Sequence, residues 1–546
     1  MFYSRPAISC LWAGFALSVR AKWADPDLSQ VAFGANGLCK TDLISYPEVE
    51  GLQILSLSAT ELRNHTFMRN PLLGSKLGPI EGVSFCNVSV IYTHPGWNDT
   101  IRITTYLPLV EQYNGKFQAN GGGGWVTGGE SLAEFTMIPS LLRGFAVSTT
   151  DGGHSDNMLD QLGSDMPWAH SSPGNINWPL LLDFSYLALH EMSIVGKALV
   201  KSFYGTPPKY SYFYGASTGG RQAHMLAQRY PEDFDGILAV SPAINWTKFL
   251  WSAIWPMRTM DKTATYPRPC EFEAISAAAM KACDGLDGVE DGVISMPSRC
   301  YFDPHVLVGD KFDCNGIEAK FTSVAADTVF AAWTGPRSST GEFQWHGFPK
   351  DAHLWGPLAP ILTTCDEDDK CIGSLFPISD TWVRYFVAKN PGLDVRTLSH
   401  QQWDNLFLAS TNEYDSVIGT SDPDLSRFGR AEAKMITWHG MADQVIPVNG
   451  TIDYAKSVLE KDPKAHDYYR LFLAPGADHS MDWGLAPTDP LTALIDWVEH
   501  GKSPQTLRVA GLNAYGTHVE RDICMYPQVQ HYAGGDPTLP SSFICV

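Results

Sequence analysis

Positive charge is scarce in this sequence. Its 546 residues contain 39 Lys and Arg against 59 Asp and Glu, which gives a formal net charge of −20 at neutral pH. No cluster of basic residues offsets this excess locally. Because so acidic a surface repels a phosphate backbone, the composition argues against nucleic acid as a partner.

Long apolar runs are missing as well. The run from Ala7 to Val19 is interrupted by serine and glycine and is too short to cross a bilayer, so no membrane span is expected. Arg5 precedes this run and Val19-Arg20-Ala21 closes it, which is typical of a secretory signal peptide over residues 1–21. A buried N-terminal helix is the alternative interpretation. We therefore expect a secreted, extracellular protein.

Secretion makes disulfides and glycans expected features. Removal of residues 1–21 takes away Cys10 and leaves ten cysteines, an even number that favours disulfides. Proximity and turn content favour the pairs Cys39–Cys86, Cys283–Cys300, Cys365–Cys371 and Cys524–Cys545, which leaves Cys270 for Cys314, although sequence alone leaves the connectivity open. Acceptor sequons for glycosylation occur at Asn64, Asn87, Asn98, Asn245 and Asn449.

Internal repeats and low-complexity segments are absent, and the residue composition changes along the chain. Strand-like runs such as 101–106 and 144–149 alternate with helical stretches such as 180–201, which predicts an α/β fold with a mostly parallel sheet. Strand signals return only near 433–438 and 468–473. Residues 247–410 are instead rich in Trp, Pro, Cys and acidic residues, so we expect an inserted second domain there, between catalytic segments 22–246 and 411–546. The oligomeric state is not predictable from these patterns.

The segment Gly215-Ala216-Ser217-Thr218-Gly219 has a Gly-x-Ser-x-Gly pattern directly after the strand-like run 210–213. A helix-forming stretch from Arg221 follows, and Pro231 ends it. Strand, tight turn and helix in this order are typical of a nucleophile elbow, which projects a serine hydroxyl from the edge of a sheet. Ser217 is therefore the candidate nucleophile. The alternative is a glycine turn with an incidental serine.

A serine nucleophile needs a base and an orienting carboxylate, which follow it in the order Ser, Asp or Glu, His in this type of fold. The strand signal at 435–438 leads into a Gly-containing turn with Asp443, and the signal at 470–473 leads into a loop with His479. Of the histidines after Asp443, only His479 directly follows a strand signal. We expect Asp443 as the acid and His479 as the base, with a solvated aspartate and a surface histidine as the alternatives.

Acyl transfer also needs donors for the developing oxyanion. The backbone N–H of Thr218 is one candidate. The glycine run 121–124 is the expected source of the second, with Gly122 and Gly123 as candidates, and the pattern does not say which glycine donates. A plain flexible loop is the competing interpretation.

With these motifs in place, the sequence resembles the tannase and feruloyl esterase family of secreted serine esterases. The resemblance extends over nearly the whole mature chain and rests on the following segments: the glycines 121–124, Thr150-Asp151-Gly152-Gly153-His154, Leu187-Ala188-Leu189-His190-Glu191, the Ser217 elbow, the turn 439–443 and the tail 524–545. It implies an α/β-hydrolase fold with a lid at 247–410 and a triad of Ser217, Asp443 and His479.

The expected activity is therefore hydrolysis of carboxylic esters of phenolic acids, feruloyl or galloyl esters, through an acyl-enzyme. The lid tryptophans Trp251, Trp255 and Trp345 are candidates for a wall against the phenolic ring, or else are core residues. Two alternatives stay open: an esterase for other aromatic or alkyl esters, and a catalytically impaired hydrolase-fold binding protein.

The second alternative comes from one departure from the family. Family members carry a cysteine just before the serine and another just after the histidine, and their disulfide holds nucleophile and base together. Here these positions are Ala216 and Ser480. Because triad chemistry does not require that disulfide, we still expect activity.

Residues 283–293 interleave acidic residues with glycines, and Cys283 with Cys300 is able to close the loop. Hard carboxylate oxygens on a constrained turn suit calcium, whereas a solvated acidic turn is the alternative. The family resemblance implies a structural calcium ion in the lid, held by Asp284, Asp287 and Asp291 and by the main-chain oxygens of Val289 and Val293.

Overall fold

The computed structural model describes residues 37–68, 79–157, 165–356, 358–368, 370–479 and 484–546. The expected signal peptide, residues 1–21, lies outside these ranges, as does Ser480.

The strands of the described residues fall into two groups, one up to Val240 and one from Lys434, and two small hairpins lie between these groups. In chain order they are β1 (Gln53–Phe67), β2 (Ile80–Thr93), β3 (Ile101–Pro108), β4 (Lys116–Asn120), β5 (Ala146–Thr150), β6 (His170–Ser172), β7 (Asn175–Ile176), β8 (Tyr210–Ala216), β9 (Gly236–Val240), β10 (Lys311–Cys314), β11 (Ile317–Lys320), β12 (Leu362–Cys365), β13 (Cys371–Ser374), β14 (Lys434–Gly440), β15 (Tyr469–Ala474), β16 (Gly484–Pro487), β17 (Thr506–Leu512), β18 (His518–Cys524), β19 (Gln530–Tyr532) and β20 (Phe543–Cys545).

Nine of these strands form one mixed sheet in the order β1-β2-β3-β5-β4-β8-β9-β14-β15. The first three pairs are antiparallel, and the pairs from β5–β4 to β14–β15 are parallel. Strand β9 is buried along its whole length, as expected for a central strand covered on both faces. The carboxyl ends of β8, β14 and β15 therefore meet at one edge of the sheet. The predicted α/β class is confirmed.

The helices follow the strands as crossover connections or lie within the segment between β9 and β14. Their bounds are α1 (Ala133–Leu142), α2 (Trp178–Ser185), α3 (Leu187–Tyr204), α4 (Thr218–Arg229), α5 (Trp246–Thr263), α6 (Pro269–Cys283), α7 (Ser323–Thr334), α8 (Pro377–Thr381), α9 (His400–Tyr414), α10 (Ser426–Arg430), α11 (Val448–Lys461) and α12 (Pro490–His500). None of these helices in the described ranges is both long and apolar enough to cross a membrane.

The single helix expected over 180–201 is in fact two, α2 and α3. They meet at Tyr186, whose φ of −166° and ψ of −30° lie outside helical geometry.

Two hydrophobic cores cover the two faces of the sheet. Residues of α3, α4 and α11 pack on one face, and residues of α1 and α12 pack on the other. Between β9 and β14 the chain adds no strand to this sheet in its described part. Helices α5 to α9 instead build a third core around buried tryptophans, and Phe312 of the β10–β11 hairpin packs against it.

Five disulfides join the ten cysteines. They are the four pairs that proximity favoured, Cys39–Cys86, Cys283–Cys300, Cys365–Cys371 and Cys524–Cys545, and the remaining pair, Cys270–Cys314. The five sequons differ in accessibility. Asn64, Asn98 and Asn449 are exposed and Asn87 is partly buried. Asn245 is only 7% exposed, which disfavours a glycan at that position.

Candidate active site

Ser217 lies between β8 and α4, on a turn with unusual backbone geometry. Its φ of 59° and ψ of −120° are sparsely populated for a residue with a side chain. The neighbouring glycines make this turn possible by close packing. A Cβ on Gly215 would lie 2.2 Å from the carbonyl oxygen of Gly219, and one on Gly219 would lie 2.9 Å from that of Gly122. The half-buried Ser217 hydroxyl is thus presented at the edge of the sheet.

The loops after β14 and β15 bring Asp443 and His479 to this serine. His479 Nε2 lies 3.0 Å from Ser217 Oγ, and His479 Nδ1 lies 2.8 Å from Asp443 Oδ2. The two loops meet because β14 and β15 are parallel neighbours in register. The structure therefore brings all three side chains predicted as a triad into one hydrogen-bonded row.

Asp443 is fully buried, and four donors surround its carboxylate. Oδ1 accepts the N–H groups of Val445 and Ile446, both at 2.8 Å, and Oδ2 lies 3.0 Å from His439 Nε2 in addition to His479. Burial alone would raise the pKa of Asp443, but the charge and hydrogen bonds of the two imidazoles hold it far below its usual value. The acid is therefore ionised and fixed in place.

His479 is 5% exposed, and its backbone N–H donates to Gln444 Oε1 at 3.0 Å. Burial lowers the pKa of its imidazole, yet the charge and hydrogen bond of Asp443, with a further effect of Asp478, raise the pKa above 6.5. The base is thus poised to take a proton from the serine. Gln444 anchors its backbone without a disulfide.

Four histidines that precede Asp443 in the sequence have other partners. His439 is fully buried and contacts Asp443 and Thr451 Oγ1, the latter at 2.8 Å from its Nδ1. The ring of His154 stacks on Trp168, His190 pairs with Asp233 and His224 bonds to Thr437. His439 therefore fixes the acid, a role that its sequence position before the turn did not indicate.

The glycine loop lies against the start of α4. Gly122 N–H donates to Gln222 Oε1 at 3.0 Å, and Gly123 N–H donates to the Val126 carbonyl at 3.1 Å. The two glycines expected to face an oxyanion thus have their N–H groups engaged within the protein. Gly124 N–H has no acceptor among the described residues, and the Gly124 carbonyl accepts from Thr218 Oγ1 at 2.7 Å. Gly124 therefore differs from Gly122 and Gly123 in having an N–H group without an acceptor among the described residues.

Gln222 was not singled out by any sequence motif. Its amide binds the loop at two points, because Nε2 donates to the Thr127 carbonyl at 3.0 Å while Oε1 accepts from Gly122. Trp125 also ties the loop to the inserted segment, since its Nε1 donates to Thr381 Oγ1 at 2.9 Å. The helix that begins at the nucleophile therefore positions the loop as well.

The three candidate tryptophans between β9 and β14 lie mainly in the core. Trp251 is fully buried and packs edge-on against Trp403, with ring centroids 4.8 Å apart. Trp345 is 9% exposed and belongs to the same core. Trp255 is half-buried and packs against this core. The structure thus favours the core interpretation of these three residues.

The acidic loop 283–293 presents buried carboxylates, but Asp284, Asp287 and Asp291 do not bring one oxygen each within 4.8 Å of one another. Asp284, Asp287 and Asp291 are 2%, 6% and 5% exposed, and Asp291 Oδ1 is buried without a hydrogen-bond partner among the described residues. The other Asp291 oxygen pairs with buried Arg521. Both oxygens of Asp284 accept N–H groups of the loop, and one also accepts the Tyr515 hydroxyl at 2.6 Å.

Comparison with known proteins gives matches over nearly the whole chain. A sequence model described as "Tannase and feruloyl esterase" matches residues 86–546. A probable feruloyl esterase of Arthroderma benhamiae is 38% identical over 510 residues, which are 92% of each chain. The crystal structure of feruloyl esterase B from Aspergillus oryzae aligns with a TM-score of 0.74 at 26% identity, over 91% of this chain and 97% of that one. Tannin acyl hydrolase from Aspergillus niger aligns with a TM-score of 0.80 at 24% identity, over 93% and 95%.

Proposed function

The chain belongs to the tannase and feruloyl esterase family of carboxylic ester hydrolases, and from this membership we propose that it hydrolyses phenolic-acid esters at Ser217. The observation that carries the proposal is the row of Ser217 Oγ, His479 Nε2 and Nδ1, and Asp443 Oδ2, with contacts of 3.0 and 2.8 Å. The relative at 38% identity favours a feruloyl over a galloyl ester as the preferred substrate.

The first half of the proposed reaction forms an acyl-enzyme. Ser217 Oγ attacks the ester carbonyl carbon while its proton passes to His479 Nε2. The carbonyl oxygen becomes an oxyanion, which the N–H groups of Thr218 and Gly124 stabilise. Thr218 N–H is suited to this role because the first N–H groups of a helix have no acceptor within the helix. When the carbonyl re-forms, the bond to the alcohol breaks and His479 gives its proton to the leaving oxygen.

The second half repeats the chemistry with water. His479 removes a proton from a water molecule, whose oxygen attacks the acyl carbon. Collapse of the second oxyanion releases the phenolic acid and returns the proton to Ser217 Oγ. Throughout both halves Asp443 stays ionised, and it stabilises the imidazolium that forms twice in the cycle.

A substrate panel tests this function. We expect the purified protein to hydrolyse methyl ferulate, and methyl gallate more slowly, with a burst of p-nitrophenol from p-nitrophenyl acetate. Ser217→Ala should abolish turnover of all three esters. Ser457→Ala, on the exposed face of α11, is the matched control and should retain it. Inertness of the wild type toward all three would favour the binding-protein alternative, and full activity of Ser217→Ala would identify another nucleophile.

We also propose that the protein is extracellular, with residues 1–21 as a cleaved signal peptide, and that residues 247–410 form a lid over the site. The five disulfides support an oxidising compartment. Expression of the full chain in a eukaryotic host should give protein in the medium that begins near residue 22. Intracellular retention of an uncleaved chain would contradict the proposal.

For the acidic loop we propose a structural calcium ion held by Asp284, Asp287, Asp291 and the main-chain oxygens of Val289 and Val293. The buried, unpartnered oxygen of Asp291 supports this proposal. Calcium should raise the melting temperature of chelator-treated wild type but not of Asp287→Asn. An equal rise in both proteins would show that the stabilising calcium ion does not bind at this loop.

A further inference from the structure

A second set of ionisable side chains lies apart from the Ser217 triad and the acidic loop. It consists of His94, Asp99, Asp183 and Glu191, which we call the His94 cluster. His94 and Asp99 lie in the connection between β2 and β3, whereas Asp183 is on α2 and Glu191 is on α3. The cluster thus joins a sheet connection to two consecutive helices. Neither the proposed reaction nor the calcium loop uses any of these residues.

His94 is held from both sides of its ring. Its Nδ1 lies 2.6 Å from Asp99 Oδ2, and its Nε2 lies 2.7 Å from Glu191 Oε1. A carboxylate that accepts one ring N–H fixes the tautomer and leaves the other ring nitrogen available as a ligand. Glu191 Oε1 is placed to do this for Nε2, and Oε2 of the same carboxylate accepts the Tyr92 hydroxyl at 2.6 Å.

Asp99 is oriented in the same manner. Its Oδ1 accepts the backbone N–H of His94 and the hydroxyl of Thr93, both at 2.8 Å. This leaves Oδ2 directed at Nδ1 of the His94 ring. The nitrogen and the oxygen are 2.6 Å apart, which is a hydrogen-bond distance. As adjacent tetrahedral ligands at about 2.0–2.1 Å from an ion they lie about 3.3 Å apart, so binding of an ion replaces this hydrogen bond and moves the two atoms apart.

Asp183 completes the His94 cluster and has the fewest hydrogen-bond partners of its four residues. Its side chain is fully buried, and neither carboxylate oxygen has a hydrogen-bond partner among the described residues. One of its oxygens lies within 4.8 Å of ligand atoms of both His94 and Asp99, and in the described ranges no other three side chains of this kind converge so closely. A buried, ionised carboxylate without a partner is strongly unfavourable unless a proton or a cation neutralises it.

No basic side chain supplies that cation. Within the described part of the chain, no Lys or Arg nitrogen lies within 4.0 Å of Asp99, Asp183 or Glu191, and His94 is their only ion-pair partner. The nearby Arg221 donates instead to the carbonyls of Phe184 and Ser185. Three carboxylates therefore share at most one positive charge.

We propose that the His94 cluster binds a divalent transition-metal ion of the Zn²⁺ type. His94 Nδ1, Asp99 Oδ2 and the Asp183 carboxylate are the ligands, and Glu191 orients the ring through Nε2–H. One imidazole and two carboxylates are a ligand set that zinc accepts, and a solvent molecule supplies a fourth ligand. The ion neutralises Asp183 and ties the β2–β3 connection to α2 and α3, so its role is to stabilise the fold.

The cluster is reachable from solvent. The His94 side chain is 10% exposed, and the exposed ring of Trp97 lies over it with a centroid separation of 4.6 Å.

The test is a Zn²⁺ titration of chelator-treated, full-length protein, carried out in excess Ca²⁺ so that the calcium loop is filled. We expect one equivalent of Zn²⁺ to bind the wild type and to raise its melting temperature. Asp183→Asn should lose this equivalent and the shift. Without metal it should melt no lower than the wild type, because the substitution removes an unpaired buried carboxyl. Glu191→Gln should bind roughly 10- to 100-fold more weakly, the effect of losing an orienting carboxylate.

The exposed residue His305 provides the matched control. It also contacts two carboxylates, Asp303 at 2.7 Å and Asp327 at 2.9 Å, so it resembles the cluster without its burial. His305→Asn should leave the Zn²⁺ equivalent and the shift unchanged. Loss of zinc in this variant would place the ion at the surface and overturn the proposal.

A wild type that binds no Zn²⁺, or an Asp183→Asn protein that binds it with unchanged affinity, would equally refute the site. Should Asp183→Asn fail to fold, X-ray absorption at the zinc edge of the wild type identifies the ligands of the ion instead. We expect one imidazole nitrogen with oxygen ligands at about 2.0–2.2 Å. Two or more imidazoles would contradict the assignment. These results do not depend on esterase activity, so the site and the proposed function fail separately.

Discussion

Asp443 is the residue on which the electrostatics of the Ser217 site depend. It is fully buried, it faces two imidazoles, and its charge opposes the effect of burial on His479. A base with a raised pKa accepts the serine proton more readily, but it is also protonated over more of the acidic range. The pH dependence of the reaction therefore reports the charge of Asp443.

Asp443→Asn should lower kcat by about 10⁴-fold, as loss of the orienting carboxylate does in such triads. It should also move the acidic limb of the kcat/KM profile. The reaction needs neutral His479, so activity rises with pH through the pKa of this residue, which lies above 6.5 in the wild type. With the charge of Asp443 removed, burial dominates and lowers that pKa. The limb should then move to lower pH, as measured with methyl ferulate.

Asp478→Asn is the control for this prediction. Asp478 raises the pKa of His479 only through its charge, and this is the smallest of the effects on that pKa. The limb should move in the same direction by less, while kcat at high pH is retained. A limb that stays in place in Asp443→Asn would show that another group sets it.

At the scale of elements, α4 begins beside Ser217 and also holds the glycine loop. Its second turn presents Gln222, which holds Gly122 N–H and the Thr127 carbonyl at 3.0 Å each. Because these groups flank Gly124, the same helix sets the distance between the serine and the proposed second oxyanion donor. The two parts of the site therefore move together.

Gln222→Leu should disturb the loop while leaving the triad in place. It removes both bonds and leaves two buried backbone groups unpaired, each at about 1–3 kcal/mol of stability. If the Gly124 donor is lost as a result, kcat should fall by about 10²- to 10³-fold with a smaller change in KM. Steady-state kinetics with methyl ferulate and thermal unfolding measure the two effects.

Gln228→Leu on the same helix is the matched control. Gln228 donates to the Tyr454 hydroxyl at 3.0 Å and does not contact the glycine loop. It should reduce stability with kcat unchanged. Equal losses of kcat in the two variants would mean that α4 as a whole, rather than its contact with the loop, controls the rate.

At the scale of the whole molecule, disulfides connect distant parts of a chain that carries an excess of negative charge. Cys39–Cys86 spans 47 residues and fastens the N-terminal segment to β2, whereas Cys365–Cys371 spans six and closes a hairpin. A disulfide restricts the unfolded chain more when its loop is longer. The two bonds should therefore differ in their effect on stability.

Replacing both cysteines by alanine should lower the free energy of unfolding by about 4 kcal/mol for Cys39–Cys86 and by about 2 kcal/mol for Cys365–Cys371. Calorimetry of the two double variants at one pH measures the order of their melting temperatures. A greater loss at the six-residue hairpin would show that native contacts outweigh chain entropy here.

Several features of this molecule are predictable from the sequence because they depend on short segments. The elbow at Ser217, the strands that lead to Asp443 and His479, and the α/β alternation each follow from local backbone preference and apolar spacing. The resemblance to the tannase and feruloyl esterase family rested on such segments, and the comparisons confirmed it. The roles of the three triad residues stay predictions until the variants are measured.

Other features arose only when distant segments met. Gly122 and Gly123 were expected donors, yet their N–H groups are engaged by Gln222, a hundred residues away from Gly122, and by Val126. His94 and Glu191 are 97 residues apart and face each other only in the folded chain. A residue type and its neighbours predict the path of the backbone, because steric preferences act over a few residues. Hydrogen-bond partners, burial and charge are set by whichever segments pack there, and no short pattern encodes that choice.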